Sequence, residues 1–86
     1  MAGLERFNTR DNNVDLDNLI PNKWYLIGTD NLNKPDNSSN ELSFVRTEFV
    51  GTFSRSYYIQ IYIGWNPGSR YIRTKTGDTW GEWASF

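Results

Sequence analysis

Between Tyr57 and Trp65 the chain alternates with a period of two. Tyr57, Ile59, Ile61, Ile63 and Trp65 share one parity; Tyr58, Gln60, Tyr62 and Gly64 share the other. Such alternation over this length predicts a β-strand with one buried and one open face. The isoleucine parity is the more apolar, so Ile59, Ile61 and Ile63 are expected in the core, and Tyr58, Gln60 and Tyr62 on the open face. Asn66-Pro67-Gly68-Ser69 has Pro and Gly where a tight turn wants them. Arg70 to Lys75 then returns as the hairpin partner, with Ile72 directed to the core. Gly77-Asp78 turns again, and Thr79 to Phe86 closes the chain as a short strand or extended tail.

Upstream, the pattern is more broken. Leu42 to Phe53 predicts a strand, but Phe44, Val45, Phe49, Val50 and Phe53 do not keep one parity. A bulge near Arg46 to Glu48 would account for that. Trp24-Tyr25-Leu26-Ile27-Gly28 is aromatic and β-branched and predicts a first strand, entered through a Pro21-Asn22-Lys23 turn. Thr29 to Asn40 is rich in Asn, Asp and Ser and predicts a long polar loop. Val14 to Ile20 fits a single helical turn or an irregular segment, ended by Pro21. The expected fold is all-β: a small antiparallel sheet of about four or five short strands, with a long polar loop and at most one short helical turn near the N-terminus. Residues 1–13 are polar and predict a flexible lead-in or linker; residues 14–86 form a single domain.

Size sharpens the problem. A chain of 86 residues buries only about 60–65% of the surface its unfolded form exposes. Small domains commonly add disulfides, metals or partner subunits. With no Cys and no His, disulfides, thiolate metal sites and the commonest general base are all excluded. An aromatic core, oligomerisation, or both remain: four Trp, five Tyr and five Phe make up 16% of the chain. A net charge of −1 argues against a nucleic-acid binder, which needs a basic excess. No apolar run reaches the roughly 18 residues of a membrane span.

The C-terminal half carries a recognisable order of motifs. Gln60-Ile61-Tyr62, then Arg70-Tyr71-Ile72-Arg73-Thr74, then Gly77-Asp78-Thr79-Trp80-Gly81-Glu82-Trp83 resembles the close of the pyocin-knob family. That family has a Gln-x-Tyr strand, a Tyr-x-Arg-Thr strand and a Gly-x-x-Trp-x-x-Trp ending. Upstream, Asp15-Leu16-Asp17-Asn18-Leu19 is similar to its opening Asp-Leu-Asn-x-Leu, and Trp24 to Gly28 to its aromatic first strand. Pro35 falls where family loops carry a Pro. One departure is the usual Gly before the first strand; here Asn22, which tolerates the left-handed backbone, stands in the turn. The resemblance covers about residues 14–86. It implies that Trp24, Trp80 and Trp83 are framework core. It also implies a distal knob of a phage tail fibre or phage-tail-like bacteriocin, a homotrimer within a longer fibre. Such a knob would contact a bacterial cell-surface glycan or other envelope receptor, with no nucleic acid and no membrane insertion. The location implied is the virion tail or tail-like particle.

The residues themselves limit the chemistry. Without His or Cys no nucleophile–base pair of the usual kind can be assembled, and the carboxylates lie mostly in turns and loops, so no catalytic residue and no enzyme activity is expected. Asp15-x-Asp17-Asn18 and Asp30-Asn31 offer oxygen ligands of the kind calcium uses. They lack a full ligand set and read better as caps and Asx turns, so neither metal nor cofactor is expected. Sugar binding needs an aromatic wall and a few placed polar groups. The candidates are Tyr58, Gln60 and Tyr62 with Tyr71 and Arg73 on the neighbouring strand, and Trp65 with Asn66 and Arg70 at the hairpin end. The same residues could instead form a contact between copies. Two other roles fit the sequence: a trimerising or capping module of a fibre, and a carbohydrate-binding accessory domain of a phage enzyme.

Overall fold

The computed structural model describes residues 11, 13–28, 30–35, 41–51, 54–66 and 69–86. Among these, six strands make one antiparallel sheet: β1 (Trp24–Ile27), β2 (Ser43–Phe49), β3 (Tyr57–Gly64), β4 (Arg70–Thr76), β5 (Thr79–Trp80) and β6 (Ala84–Ser85). The order is β1-β2-β3-β4-β5, and β6 also pairs with β4. Among the described residues the helical content is one 3-10 turn, Leu16–Asn18. The expected small all-β architecture is therefore what the chain forms. The predicted lead-in, residues 1–13, falls almost entirely outside the described residues, as do the loop tip at 36–40, Thr52, Phe53, Pro67 and Gly68. Asp11, inside that lead-in, is tied to the sheet: its amide donates to the Leu26 carbonyl at 2.8 Å.

Asn13, Asn22, Asp30, Asn33 and Gly77 have a left-handed backbone, and two of them, Asn22 and Gly77, stand in turns beside strands. Asn22 sits at φ 67°, which is the conformation a glycine would otherwise supply at the entry to β1. Gly77, at φ 72°, opens the two-residue link between β4 and β5, where such a link reserves its first position for glycine. The expected bulge near Arg46 is absent. The β2–β3 ladder runs unbroken from Ser43 opposite Gly64 to Phe49 opposite Tyr58. The parity break belongs to β2 having apolar residues on both faces, and to the strand ending at Phe49.

The register fixes which residues share a face. On one face Tyr25, Val45, Tyr62 and Tyr71 form a row, followed by Thr47, Gln60 and Arg73. This face is covered by a strap, residues 14–20, whose Leu16 is fully buried and whose Val14 and Leu19 pack beside it. On the opposite face Leu26, Phe44, Ile63 and Arg70 form a row. Beside it run Trp24, Arg46, Ile61, Ile72 and Ala84, then Glu48, Ile59 and Thr74.

The face assignment expected from hydropathy is thus inverted. Gln60 and Tyr62 are 0% and 2% exposed, whereas Ile63 is 38% exposed and Ile59, Ile61 and Ile72 lie beside it on the uncovered face. Trp24 also belongs to that face, half-buried with Arg46 5.9 Å from its ring. Of the expected core residues, Trp80 and Trp83 sit on the covered side. Tyr side chains and a polar network took the place that the isoleucines were expected to fill.

Candidate functional site

The covered face is built around a buried cation. Arg73, 6% exposed, lies between the indoles of Trp80 and Trp83, 4.4 Å and 4.5 Å from their centroids. Its Nε donates to Gln60 Oε1 at 2.8 Å, and its Nη2 meets Asp17 Oδ1 at 2.9 Å. Burial pushes the guanidinium pKa down, while Asp17 opposes that shift. Gln60 is held in turn: its amide donates to the Leu16 carbonyl at 2.8 Å and to Thr47 Oγ1 at 2.9 Å. A planar guanidinium suits this position because it can stack on both rings and still donate in its own plane.

The strap is tied to the same group. Asp15 caps the 3-10 turn by accepting from the Asp17 amide at 2.9 Å. Trp80 Nε1 reaches the Asp17 carbonyl at 3.5 Å, and Trp83 Nε1 donates to the Asn33 carbonyl at 2.9 Å. Asn31, buried, accepts from the Gly28 amide and donates to the Asp11 and Val14 carbonyls. Sequence reading weighed Asn31 only as an oxygen donor beside Asp30; its burial follows from partners in the strap, which no local pattern reveals. Asp15 also accepts from Asn33 Nδ2 at 2.7 Å, so of the carboxylates weighed as calcium ligands Asp15 and Asp17 are engaged in capping and ion pairing.

The proposed sugar platform of Tyr58, Gln60, Tyr62, Tyr71 and Arg73 is therefore not an open platform. Gln60, Tyr62 and Arg73 are enclosed. Tyr62 is edge-on to Tyr71 and Trp83, each at 6.0 Å, and its hydroxyl accepts from Ser43 Oγ at 2.6 Å. Tyr58 and Tyr71 are half-buried; Tyr58 packs on Phe49 at 5.0 Å with Lys75 Nζ 4.6 Å from its ring.

The second candidate group stands in solvent. Trp65 is 76% exposed at the mouth of the β3–β4 hairpin. Its backbone is nevertheless pinned: the Trp65 amide donates to the Leu42 carbonyl at 2.8 Å, and the Asn66 amide to Glu41 Oε1 at 3.1 Å. Gly64 and Ser69 close the hairpin by a 2.6 Å bond from Gly64 N to Ser69 O. Arg70 is exposed and lies 5.6 Å from the Phe86 ring. A fixed backbone presenting an open indole, an amide and a guanidinium has the makings of a stacking site. Glu41, Leu42 and Phe86 join this end through register alone, which is why composition did not mark them. A separate hollow of about 340 Å³, lined by Ser54, Arg55, Ser56, Thr76, Gly77 and Asp78, is shallow and has no buried polar group aimed into it.

No family model matches the chain, and neither a curated protein nor a solved structure matches it.

Proposed function

We propose that this chain is a non-enzymatic knob module of a phage tail fibre or tail-like bacteriocin, attaching the particle to a glycan or other receptor on a bacterial envelope. In that setting it occurs as a homotrimer at the distal end of a fibre. The observation that supports this reading is the meeting of motifs far apart in sequence. Gln60, Tyr62, Tyr71, Arg73, Trp80 and Trp83 lie in one packed cluster, and the opening Asp15-Leu16-Asp17 segment bonds to it through Leu16 and Asp17. The residues that carry the resemblance thus act as a framework, which leaves receptor contact to other positions. Trp65 and Asn66, held at the hairpin mouth, are the best placed.

The test is binding of the purified chain to bacterial envelope fractions and to a glycan array. Trp65→Ala is expected to weaken binding about tenfold or more, a loss of roughly 1.4 kcal/mol, with an unchanged melting temperature. Wild-type chain that binds no envelope and no glycan, or Trp65→Ala binding as well as wild type, defeats this assignment of the site.

A further inference from the structure

We infer that the end of the covered face beyond the strap is a separate binding site, which takes a sugar ring bearing a carboxylate. Phe49, Tyr58, Lys75 and Trp80 are successive cross-strand partners on β2, β3, β4 and β5. They therefore stand in one row across three strand gaps, about 14 Å. The strap bonds to Gln60 and Arg73, in the row before it. Phe49 is 45% exposed, and Tyr58, Lys75 and Trp80 are half-buried beside it. The site is distinct from the hairpin mouth and does not rest on the attachment reading. Tyr58 lies at the start of β3 and Trp65 beyond its end, seven residues or about 23 Å away and on the other parity.

Lys75 carries the inference. Its ammonium lies 4.6 Å from the centroid of Tyr58 and 5.3 Å from that of Trp80, close enough for both rings to attract it. The two rings hold a cation that no carboxylate neutralises: among the described residues Lys75 makes no ion pair. Asp17, whose carbonyl meets the Trp80 indole, has its carboxylate on Arg73. An ammonium has three N–H donors, and ring faces give them no lone pair. An arriving carboxylate supplies those acceptors as charge-assisted hydrogen bonds. Because the rings already restrict the lysine stem, little side-chain freedom is lost when it binds.

The rings supply the rest of the site. Phe49 and Tyr58 are 5.0 Å apart and tilted by 58°, and Tyr58 and Trp80 are 6.4 Å apart and tilted by 54°. The Phe49 amide is held by Asn22 Oδ1 at 3.4 Å and the Val50 amide by the Tyr57 carbonyl at 2.6 Å, so the open end of the row has a fixed backbone. An apolar wall with one placed polar group suits the C–H face of a sugar ring whose acid group reaches the ammonium. A neutral sugar would leave Lys75 unused. A phosphate ester, with a charge of about −1.5 to −2, would leave part of its charge unmet by a single ammonium. A nucleic-acid strand needs a basic track along its length, which one cation in the row does not provide.

Magnetic resonance titration of the isotope-labelled full chain with glucuronate reads the site through the Trp80 indole N–H and the Tyr58 and Lys75 amides. Saturable shifts of these signals in the millimolar range are expected. Glucose, a ring without the charge, and acetate, the charge without a ring, are each expected to bind about fivefold more weakly or worse. Lys75→Met keeps an apolar stem on the rings and removes the charge; it is expected to weaken glucuronate about fivefold, the scale of an exposed ion pair. Phe49→Ala is expected to weaken it by a similar factor. Lys23→Met removes a cation over Tyr25, at the other side of the sheet, and is expected to change nothing. Unshifted signals elsewhere in each variant's spectrum report that the fold is kept. Several results overturn the inference: no saturable shift at Trp80, glucose or acetate matching glucuronate, glucose 6-phosphate binding more tightly than glucuronate, or Lys75→Met binding like wild type. A chain that takes glucuronate at Trp80 but binds no envelope leaves this site standing and removes only the attachment reading.

Discussion

Arg73 is the residue on which the covered face turns. It contributes a charge where a small domain would ordinarily place an aliphatic side chain, and the charge is accommodated by three kinds of contact at once. Asp17 neutralises it, Gln60 accepts from its Nε, and Trp80 and Trp83 offer their faces. A lysine at the same position keeps the charge and loses the planar fork. Arg73→Lys is therefore expected to cost about 2–3 kcal/mol, the scale of hydrogen bonds to charged groups left unmade in a buried site. Urea unfolding of the wild type and the variant measures this; a change under about 1 kcal/mol would mean that the stacking and the fork contribute little. Gln60 belongs to the same argument. It was legible as a strand residue and as part of a motif, but not as a buried one, because its burial depends on the Leu16 carbonyl and Thr47 hydroxyl it satisfies. A buried amide is tolerable only when such partners are present.

At the scale of elements, the turns were easier to read than the faces. Asn22 was expected to replace a glycine, and its φ of 67° agrees. Asn22→Gly should then change stability by no more than about 0.5 kcal/mol, while Asn22→Ala should cost about 1 kcal/mol because alanine resists the left-handed region. Thermal denaturation of the two variants side by side decides it, and equal melting temperatures would show that the turn is not limiting. The strands too were legible, since β3 and β4 follow period-two alternation and Gly77-Asp78 marks the return. What the alternation does not carry is which parity turns inward. On β3 both parities contain large side chains, and hydropathy favours the isoleucines. The strap reverses that choice, because Asp17 and the Leu16 carbonyl find Arg73 and Gln60 only on the even parity of β3 and its partner row on β4. A long-range polar match decided the face, and local pattern contains no record of it. The hairpin-mouth group suffered the same limit: Trp65 was legible as an exposed aromatic, while Leu42 and Glu41 reach it only through cross-strand pairing.

In the molecule as a whole, the N-terminal strap and the C-terminal segment hold each other in place. The strap has no regular secondary structure beyond its 3-10 turn, so its stability comes from what it touches. Those contacts are Leu16 in the core, Asp17 on Arg73 and on Trp80, and the short parallel bridge in which the Leu16 amide donates to Leu32 at 3.0 Å and the Leu32 amide to Val14 at 3.1 Å. Trp83 fastens the same region by its bond to the Asn33 carbonyl. The closing segment, for its part, is attached to the sheet by short pairings with β4 and by the Gly81 amide on the Thr74 carbonyl at 2.8 Å. Each piece supplies the other's apolar and polar partners, so the two are expected to open as one unit. Native-state hydrogen exchange is expected to give the Leu16, Leu32 and Gly81 amides one common opening free energy, below that of the β2–β3 ladder. Trp83→Ala, which removes a large, partly buried ring and leaves a carbonyl without its donor, should lower all three together by about 2 kcal/mol, below the range of fully buried Trp truncations. If Gly81 loses protection while Leu16 and Leu32 keep theirs, the strap is held by the sheet alone and the two ends of the chain are not coupled through the tryptophans.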